Sequence, residues 1–317
     1  MKAVIVNPDR TLSWSDVPDP KVGEGEVLID IKCAACNRAD ILQRAGKYPP
    51  PEGWPEWMGL EVSGVIAESK SERFKVGDRV CALLGGGGYA ERIAVNVGMV
   101  LPIPAGMDFI KAAAIPETFA TAYLNLVLEA GIKPGDTVLI MAGASGLGTA
   151  AIQVAKHFGA KVITTVGSDD KADAVRALGA DIIVNRRTGD LGAVMDANPV
   201  DIALDCAAGS GFGSNFLRMN RGGRWIIVST LAGEESGINL RGVMKKGLRL
   251  IGSTLRSRPP EVKYKLLADM REALWGGFES GELSPVIHEV LPINEVERAH
   301  ELLNGEHIGK VVLTING

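Results

Sequence analysis

The sequence predicts a two-domain α/β protein in which a doubly wound parallel sheet is inserted into a β-rich domain. Three observations predict it. Periodicity changes near Ala112, from short alternating strands to strand and helix patterns that take turns. Residues 136–153, DTVLIMAGASGLGTAAIQ, read as strand, glycine turn and helix in succession. Strand character then returns after Pro259, so the C-terminus completes the domain that the N-terminus began.

The elements follow in order. Residues 2–6, 26–32, 59–67 and 79–84 read as strands, and 26–32 alternates with period two for most of its length. Turns such as Pro18-Asp19-Pro20 and Val76-Gly77-Asp78 separate them, the pattern of a small barrel-like domain. Tyr48-Pro49-Pro50-Pro51 marks an irregular surface loop, and the four glycines 85–88 a flexible one. A helix opens at Pro116 and stops at Gly131. Strands are expected at 138–142, 161–166, 181–184, 201–205, 224–229 and 248–253, with a helix at 169–178. This βαβ alternation is that of a Rossmann sheet. A helix at 262–275, a strand at 286–291, a short helix at 295–303 and a strand at 310–315 finish the chain. The expected domains are 1–113 with 255–317, and 114–254.

Composition bounds the function. The 317 residues are 46% apolar and 23% charged, with a net charge of −4, and no basic face supports nucleic-acid binding. The N-terminus lacks the apolar core of a signal peptide and no 18-residue apolar run exists, so a cytoplasmic protein without a membrane partner is expected. Four scattered cysteines do not make a disulfide scaffold. Cys33 and Cys36 form C-x-x-C, which suits zinc ligation, a redox pair or ordinary buried thiols. No further ligands follow at suitable spacing, and buried thiols are expected.

The turn Gly143-Ala144-Ser145-Gly146-Leu147-Gly148 carries the chemistry. Strand, turn and helix together bring bare N–H groups and a helix N-terminus against a phosphate. Its spacing is G-x-x-G-x-G, a weak signal alone, but it sits on the first strand of a βαβ run. About 20 residues on, an acidic residue would hold the ribose 2′-hydroxyl of NAD. Here the strand ends in Gly167-Ser168, followed by Lys171, with Arg186 after the next strand. Small residues and two cations favour a 2′-phosphate, hence NADPH. Asp169 and Asp170 oppose this, but they also suit the first turn of a helix. In the segment CNRADILQRAGKYPPP, Asn37, Asp40, Arg44 and Tyr48 are candidates: a phenol over a planar substrate, oriented by Asn37, or simple surface packing.

These residues resemble the zinc-free quinone oxidoreductase group of the medium-chain dehydrogenase/reductases, in particular the tumour-suppressor-induced type and its bacterial relatives. The matching stretches include NRADILQRAGKYPPPEG, GLEVSGVI, VGDRVCALLGGGGYAER, AAAIPETFATAY, AGASGLGTAAIQVAK, GSDDKADAVRALGAD, IGSTLRSR and HIGKVVL, spread over essentially the whole chain. The resemblance implies a Rossmann NADPH-binding domain inserted into a GroES-like catalytic domain, with NADPH in the cleft between them. It implies pyrophosphate on Ser145, Gly146, Leu147 and Gly148, with Ala144 beside them. Thr121 and Asn37 then approach the nicotinamide end. Ser229, Thr230 and Leu231, with Ser253, Thr254, Leu255 and Arg256, flank the ring and its ribose, and Tyr48 contacts cofactor or substrate.

The alcohol dehydrogenases of the family hold zinc on a Cys three residues before an Asp and on the His of Gly-His-Glu. Those positions resemble Asn37 and Leu60 here, so no metal is expected, and alcohol oxidation without one is unfavourable. What remains is hydride transfer to a quinone, with Asn37 and Tyr48 as catalytic candidates. The alternatives are reduction of an enal or enone C=C bond and a non-catalytic NADPH-binding role. Two departures stand out: Arg186 replaces a frequent Tyr, and Cys36 puts a thiol beside Asn37. Strand 248–252 should be a sheet edge covered by a second subunit, giving a homodimer.

Overall fold

The computed structural model describes residues 1–315, so the last two residues of the expected first domain, 316 and 317, lie outside the described part. The chain forms two compact units. One is Met1–Ala120 with the segment from Leu255 onward, and the other is Thr121–Thr254. The crossover from the first to the second lies within the helix Pro116–Tyr123, which continues as a π-helical turn, Leu124–Glu129.

The first unit begins with an antiparallel pair, β1 (Lys2–Val6) and β2 (Leu12–Asp16). Then come β3 (Glu26–Ala35), β4 (Glu61–Ser69), β5 (Arg79–Leu83), β6 (Arg92–Asn96) and β7 (Val100–Pro102). Along β3 the side chains of Val27, Ile29 and Ile31 point inward and are at most 1% exposed, as period-two alternation requires. Beyond Lys32 the alternation stops, and Cys33, Ala34 and Ala35 are all buried.

Glycines 85–88 are not the flexible loop expected from four glycines in a row. All four are buried. A Cβ on Gly85 would lie 2.7 Å from the Trp54 ring, and one on Gly88 would lie 2.9 Å from Val62. The run is a close-packed seam where only glycine fits, because the interior has no void to take a methyl.

The second unit carries six parallel strands: β8 (Thr137–Ile140), β9 (Lys161–Val166), β10 (Ile182–Asn185), β11 (Ile202–Asp205), β12 (Arg224–Ile227) and β13 (Arg249–Gly252). Their spatial order is β10-β9-β8-β11-β12-β13, the doubly wound arrangement with its reversal between β8 and β11. β8 stops at Ile140, two residues short of its apolar run, because Ala142 turns to a left-handed φ of +56°. Leu139, Ile163, Ala203, Phe216 and Trp225 form the core on this sheet. Each large side chain so buried contributes about 1.5–3 kcal/mol. Three helices that the periodicity did not announce, Leu191–Ala197, Phe212–Arg218 and Leu240–Lys246, are seven residues each. They are too short for a clear 3.6-residue signature.

The chain then returns to the first unit through the helix Pro260–Ser280, β14 (Ile287–Pro292) and β15 (Lys310–Thr314). β15 pairs antiparallel with the end of β3, Val312 opposite Ala35 and Thr314 opposite Cys33. That pairing extends β3 past its expected end and closes a seven-stranded sheet, β14-β15-β3-β4-β5-β7, with β6 also on β3.

Candidate active site

In the Rossmann unit the expected cofactor residues gather at the carboxyl ends of the parallel strands, where such sheets bind ligands. After β8 the turn leads into the helix Gly146–His157, capped by Ser145, whose Oγ accepts from Gly148 N at 3.0 Å. Thr149 N donates to Ser145 O. The N–H groups of Gly146 and Leu147, ahead of the first helical bond, are the donors left for an anion. A Cβ on Gly148 would lie 2.3 Å from Ala142 O, and one on Gly143 would lie 2.0 Å from Thr164 Oγ1. These glycines therefore let turn, helix and β9 close on one another, and Ala144, 6% exposed, packs behind them.

After β9, the atoms nearest a Cβ on Gly167 would be those of the Arg186 guanidinium, from 3.5 Å away. Arg186 is exposed, whereas Lys171 is buried at 9% exposure. Of the two expected cations, Arg186 is thus the one displayed beside Gly167. The Ser168 hydroxyl bonds the Asp170 carboxylate, which is held below its usual range by that bond first. Asp169 accepts from Asn185 Nδ2 at 2.9 Å. Both acids are exposed and head the short segment Asp169–Lys171, each accepting a bond from a neighbouring side chain.

Ser229, Thr230 and Leu231 follow β12 in a loop that returns Leu231 N to Cys206 O and Ala232 N to Ala207 O. At the base of that neighbouring loop, Asp205 accepts from Trp225 Nε1, Ala207 N and Ala208 N. Ser253 follows β13; it is 6% exposed, and its Oγ has no hydrogen-bond partner among the described residues. A buried hydroxyl in that state is open to a polar partner. Thr121, at the start of the unit, accepts from Asn125 Nδ2 at its carbonyl, 2.7 Å.

In the other unit a buried polar cluster surrounds Asn37. Lys310 Nζ spends its three protons on Cys36 O at 2.6 Å, Asn37 Oδ1 at 2.7 Å and Glu61 Oε1 at 2.7 Å. Asn37 Nδ2 in turn donates to Ala35 O and to Glu61 Oε1. Both amide protons of Asn37 are thus committed, and it can meet a ligand only as an acceptor. Asp40 accepts from Asn37 N, Gly59 N and the Tyr89 hydroxyl; burial raises its carboxyl above the usual range. Glu117 N donates to Glu61 Oε2 at 2.8 Å. Its own carboxyl is pushed up to about 8, by burial first and the Glu61 charge second, against the pull of Lys310 and Arg256.

Tyr48 lies under the Arg256 guanidinium, 5.0 Å from its ring centroid. Arg256 is 4% exposed and donates to Gly85 O, Tyr48 O and Gln43 Oε1. It therefore ties the Tyr48 loop to the glycine seam. Leu255 beside it is buried. Burial raises the Tyr48 phenol, with Arg256 opposing. Cys36 is a buried thiol, as expected for the C-x-x-C pair: it is 1% exposed, and burial pushes it up to about 12. Cys33 is likewise buried.

Sequence reasoning missed Glu61, Glu117 and Lys310 as a cluster. The signal present was an acid set among apolar residues, in GLEVSGVI and in AAAIPETF, which a buried strand or helix tolerates only with a partner.

A reversing parallel sheet with a phosphate-type turn, together with a mixed sheet that carries a buried polar cluster, defines the two-domain dehydrogenase/reductase class. The chain matches the zinc-binding dehydrogenase family over residues 146–272 and the alcohol dehydrogenase GroES-like domain over residues 23–105. It is 34% identical to a quinone oxidoreductase of Lama guanicoe over 99% of this chain and 98% of that one. The quinone oxidoreductase of Thermus thermophilus, solved also in complex with NADPH, is 32% identical with a TM-score of 0.86, covering 99% of this chain and 100% of that one. An NAD-dependent alcohol dehydrogenase structure is also 32% identical with a TM-score of 0.85, covering both chains fully. The chain belongs to the medium-chain dehydrogenase/reductases, in their quinone oxidoreductase group. The zinc of its metal-bearing relatives does not fit these residues. Leu60 offers no donor atom, and the Asn37 amide is bonded to Lys310 and Glu61. Among the described residues no group of three or more His, Cys, Asp or Glu is placed to hold a metal ion.

Proposed function

We infer that this protein is an NADPH-dependent quinone reductase that works without zinc. The observation that carries the reading is the end of β9: Gly167 with the exposed Arg186 guanidinium 3.5 Å from its Cβ position, while the next acids, Asp169 and Asp170, already accept from Asn185 and Ser168. The likeness to an enzyme solved with NADPH supports it. The N–H groups of Gly146 and Leu147 would hold the pyrophosphate, Arg186 the 2′-phosphate, and Ser253 a ribose or amide group. When bound, the cofactor supplies a hydride. The protein's part is to orient and to exclude water. Asn37, locked by Lys310 and Glu61, presents one acceptor lone pair of fixed direction, and Arg256 holds the Tyr48 loop. A quinone takes a hydride without a Lewis acid because its reduced form is aromatic.

No described helix is long and apolar enough to cross a membrane, and a small-molecule acceptor is the partner proposed. The free edge at β13, where Leu250 is 47% exposed and the preceding helix exposes Leu240 and Met244 at 77% each, is read as the place where a second copy pairs.

The test is steady-state NADPH oxidation with ortho-quinones, para-quinones and enals. Turnover with quinones above that with enals supports the reading. Enal turnover alone makes the protein a C=C reductase, and tight NADPH binding without any turnover makes it a binding protein.

A further inference from the structure

A second cluster of cations lies wholly within the first unit and shares no residue with the candidate active site. A cavity of about 320 Å³ is lined by Arg73, Arg79 and Arg271, together with Phe74, Asp78 and Pro102. We propose that this cavity is a binding site for a phosphate dianion, free or carried on a small phosphomonoester, held by the three guanidinium groups. The site is independent of the reductase reading.

The three arginines come from separate parts of the chain. Arg73 stands between β4 and β5, Arg79 opens β5, and Arg271 lies on the helix Pro260–Ser280. Two contacts bring these parts together. Val80 pairs with Pro102 across β5 and β7. Tyr264 on the helix packs on the turn Val97–Met99, where a Cβ on Gly98 would lie 2.4 Å from its ring. Arg73 Nη1 donates to Val97 O in that same turn, at 3.2 Å, and its guanidinium lies 5.4 Å from the Phe74 ring centroid. Arg79 Nη2 donates to Met107 O at 2.8 Å, with its guanidinium 4.6 Å from the Phe109 ring centroid. A carbonyl and an aromatic face thus set the direction of each of these two forks and leave most of its N–H donors for a ligand.

The charge around the cavity is unbalanced. None of the three arginines makes an ion pair among the described residues. Asp78, the one acid on the wall, accepts from Lys75 N at 2.8 Å and so braces the turn before β5. The Arg73 guanidinium is pulled below its ordinary value, by partial desolvation first and by the Arg271 charge second. The two cations therefore act directly on one another. Three cations and one acid leave an excess of two positive charges, which a phosphate dianion cancels. Guanidinium forks also match phosphate oxygens in pairs, which favours phosphate over a spherical anion such as chloride.

The test is a calorimetric titration of inorganic phosphate, and separately of phenyl phosphate, into wild type, Arg271→Gln, Arg73→Gln and Arg186→Ala. Sodium chloride at matched ionic strength is the control. Wild type should bind phosphate saturably, and Arg271→Gln and Arg73→Gln should each weaken that binding by roughly tenfold or more. Arg186→Ala should leave it unchanged, which separates this cavity from the turn in the other unit. In chloride alone Arg271→Gln should melt no lower than wild type, because it removes a like-charge contact; phosphate should then raise the melting temperature of wild type only. Tighter binding of phenyl phosphate or of free phosphate names the form of the ligand, and either supports the site. No saturable binding to wild type would overturn the proposal. So would equal affinity in wild type and both glutamine variants, loss of binding in Arg186→Ala alone, or the same stabilisation by chloride.

Discussion

Lys310 and Glu61 form a buried ion pair, Nζ to Oε1 at 2.7 Å, with side chains 4% and 0% exposed. The residues lie on β15 and β4, and the ammonium reaches across to the end of β3. The pair holds Asn37 in one orientation and sets the charge that Glu117 faces.

Removing the ammonium should therefore be costly. Lys310→Met strands Glu61 in a dry interior, and a loss of about 3–5 kcal/mol is expected in urea unfolding. The double variant Lys310→Met with Glu61→Gln should recover much of it. If Lys310→Met alone costs less than about 1 kcal/mol, water reaches the pair and the cluster is not dry.

Gly85→Ala tests the packed seam. The added methyl would sit 2.7 Å from the Trp54 ring, and overpacking of this kind costs about 1–3 kcal/mol. A flexible loop would absorb it, and an unchanged melting temperature would restore that description.

How much of this was legible beforehand varies by residue. Val138, Leu139 and Ile140 are consecutive apolar residues followed by small ones, so strand, turn and helix were readable within one window. Gly167, Ser168 and Arg186 were proposed by counting along a known topology. Glu61, Glu117 and Lys310 are far apart in the sequence, and only the pairing of β15 with β3 brings Lys310 to the other two. No local periodicity records such a meeting. The glycine seam was misread for a related reason: composition announces freedom, while the neighbours Trp54, Pro55 and Val62 remove it.

His300 gives a pH dependence that needs no cofactor. It is 2% exposed, neither ring nitrogen has a hydrogen-bond partner among the described residues, and burial lowers it to about 4. The unfolded chain, with an ordinary histidine near 6.5, binds the proton more readily. Stability from this residue is thus intact above pH 6.5 and is lost as pH falls toward 4, on the order of 3 kcal/mol in all. His300→Leu should flatten that part of the curve. An unchanged slope would mean that His300 takes up its proton without unfolding.

Tyr48→Phe should slow quinone turnover modestly, because burial makes the phenol a weak acid that water can replace. The Arg256 guanidinium keeps its place over the remaining ring. A fall beyond ~10⁴-fold, above the usual range for one acid–base group, would make Tyr48 the principal donor.

The central claim is the cofactor, and the most direct measurement is a binding titration of NADPH and NADH on wild type and Arg186→Ala. The account predicts that wild type binds NADPH more tightly than NADH. It also predicts that Arg186→Ala weakens NADPH by roughly tenfold or more while leaving NADH nearly unchanged. Equal affinities of wild type for the two cofactors would contradict it.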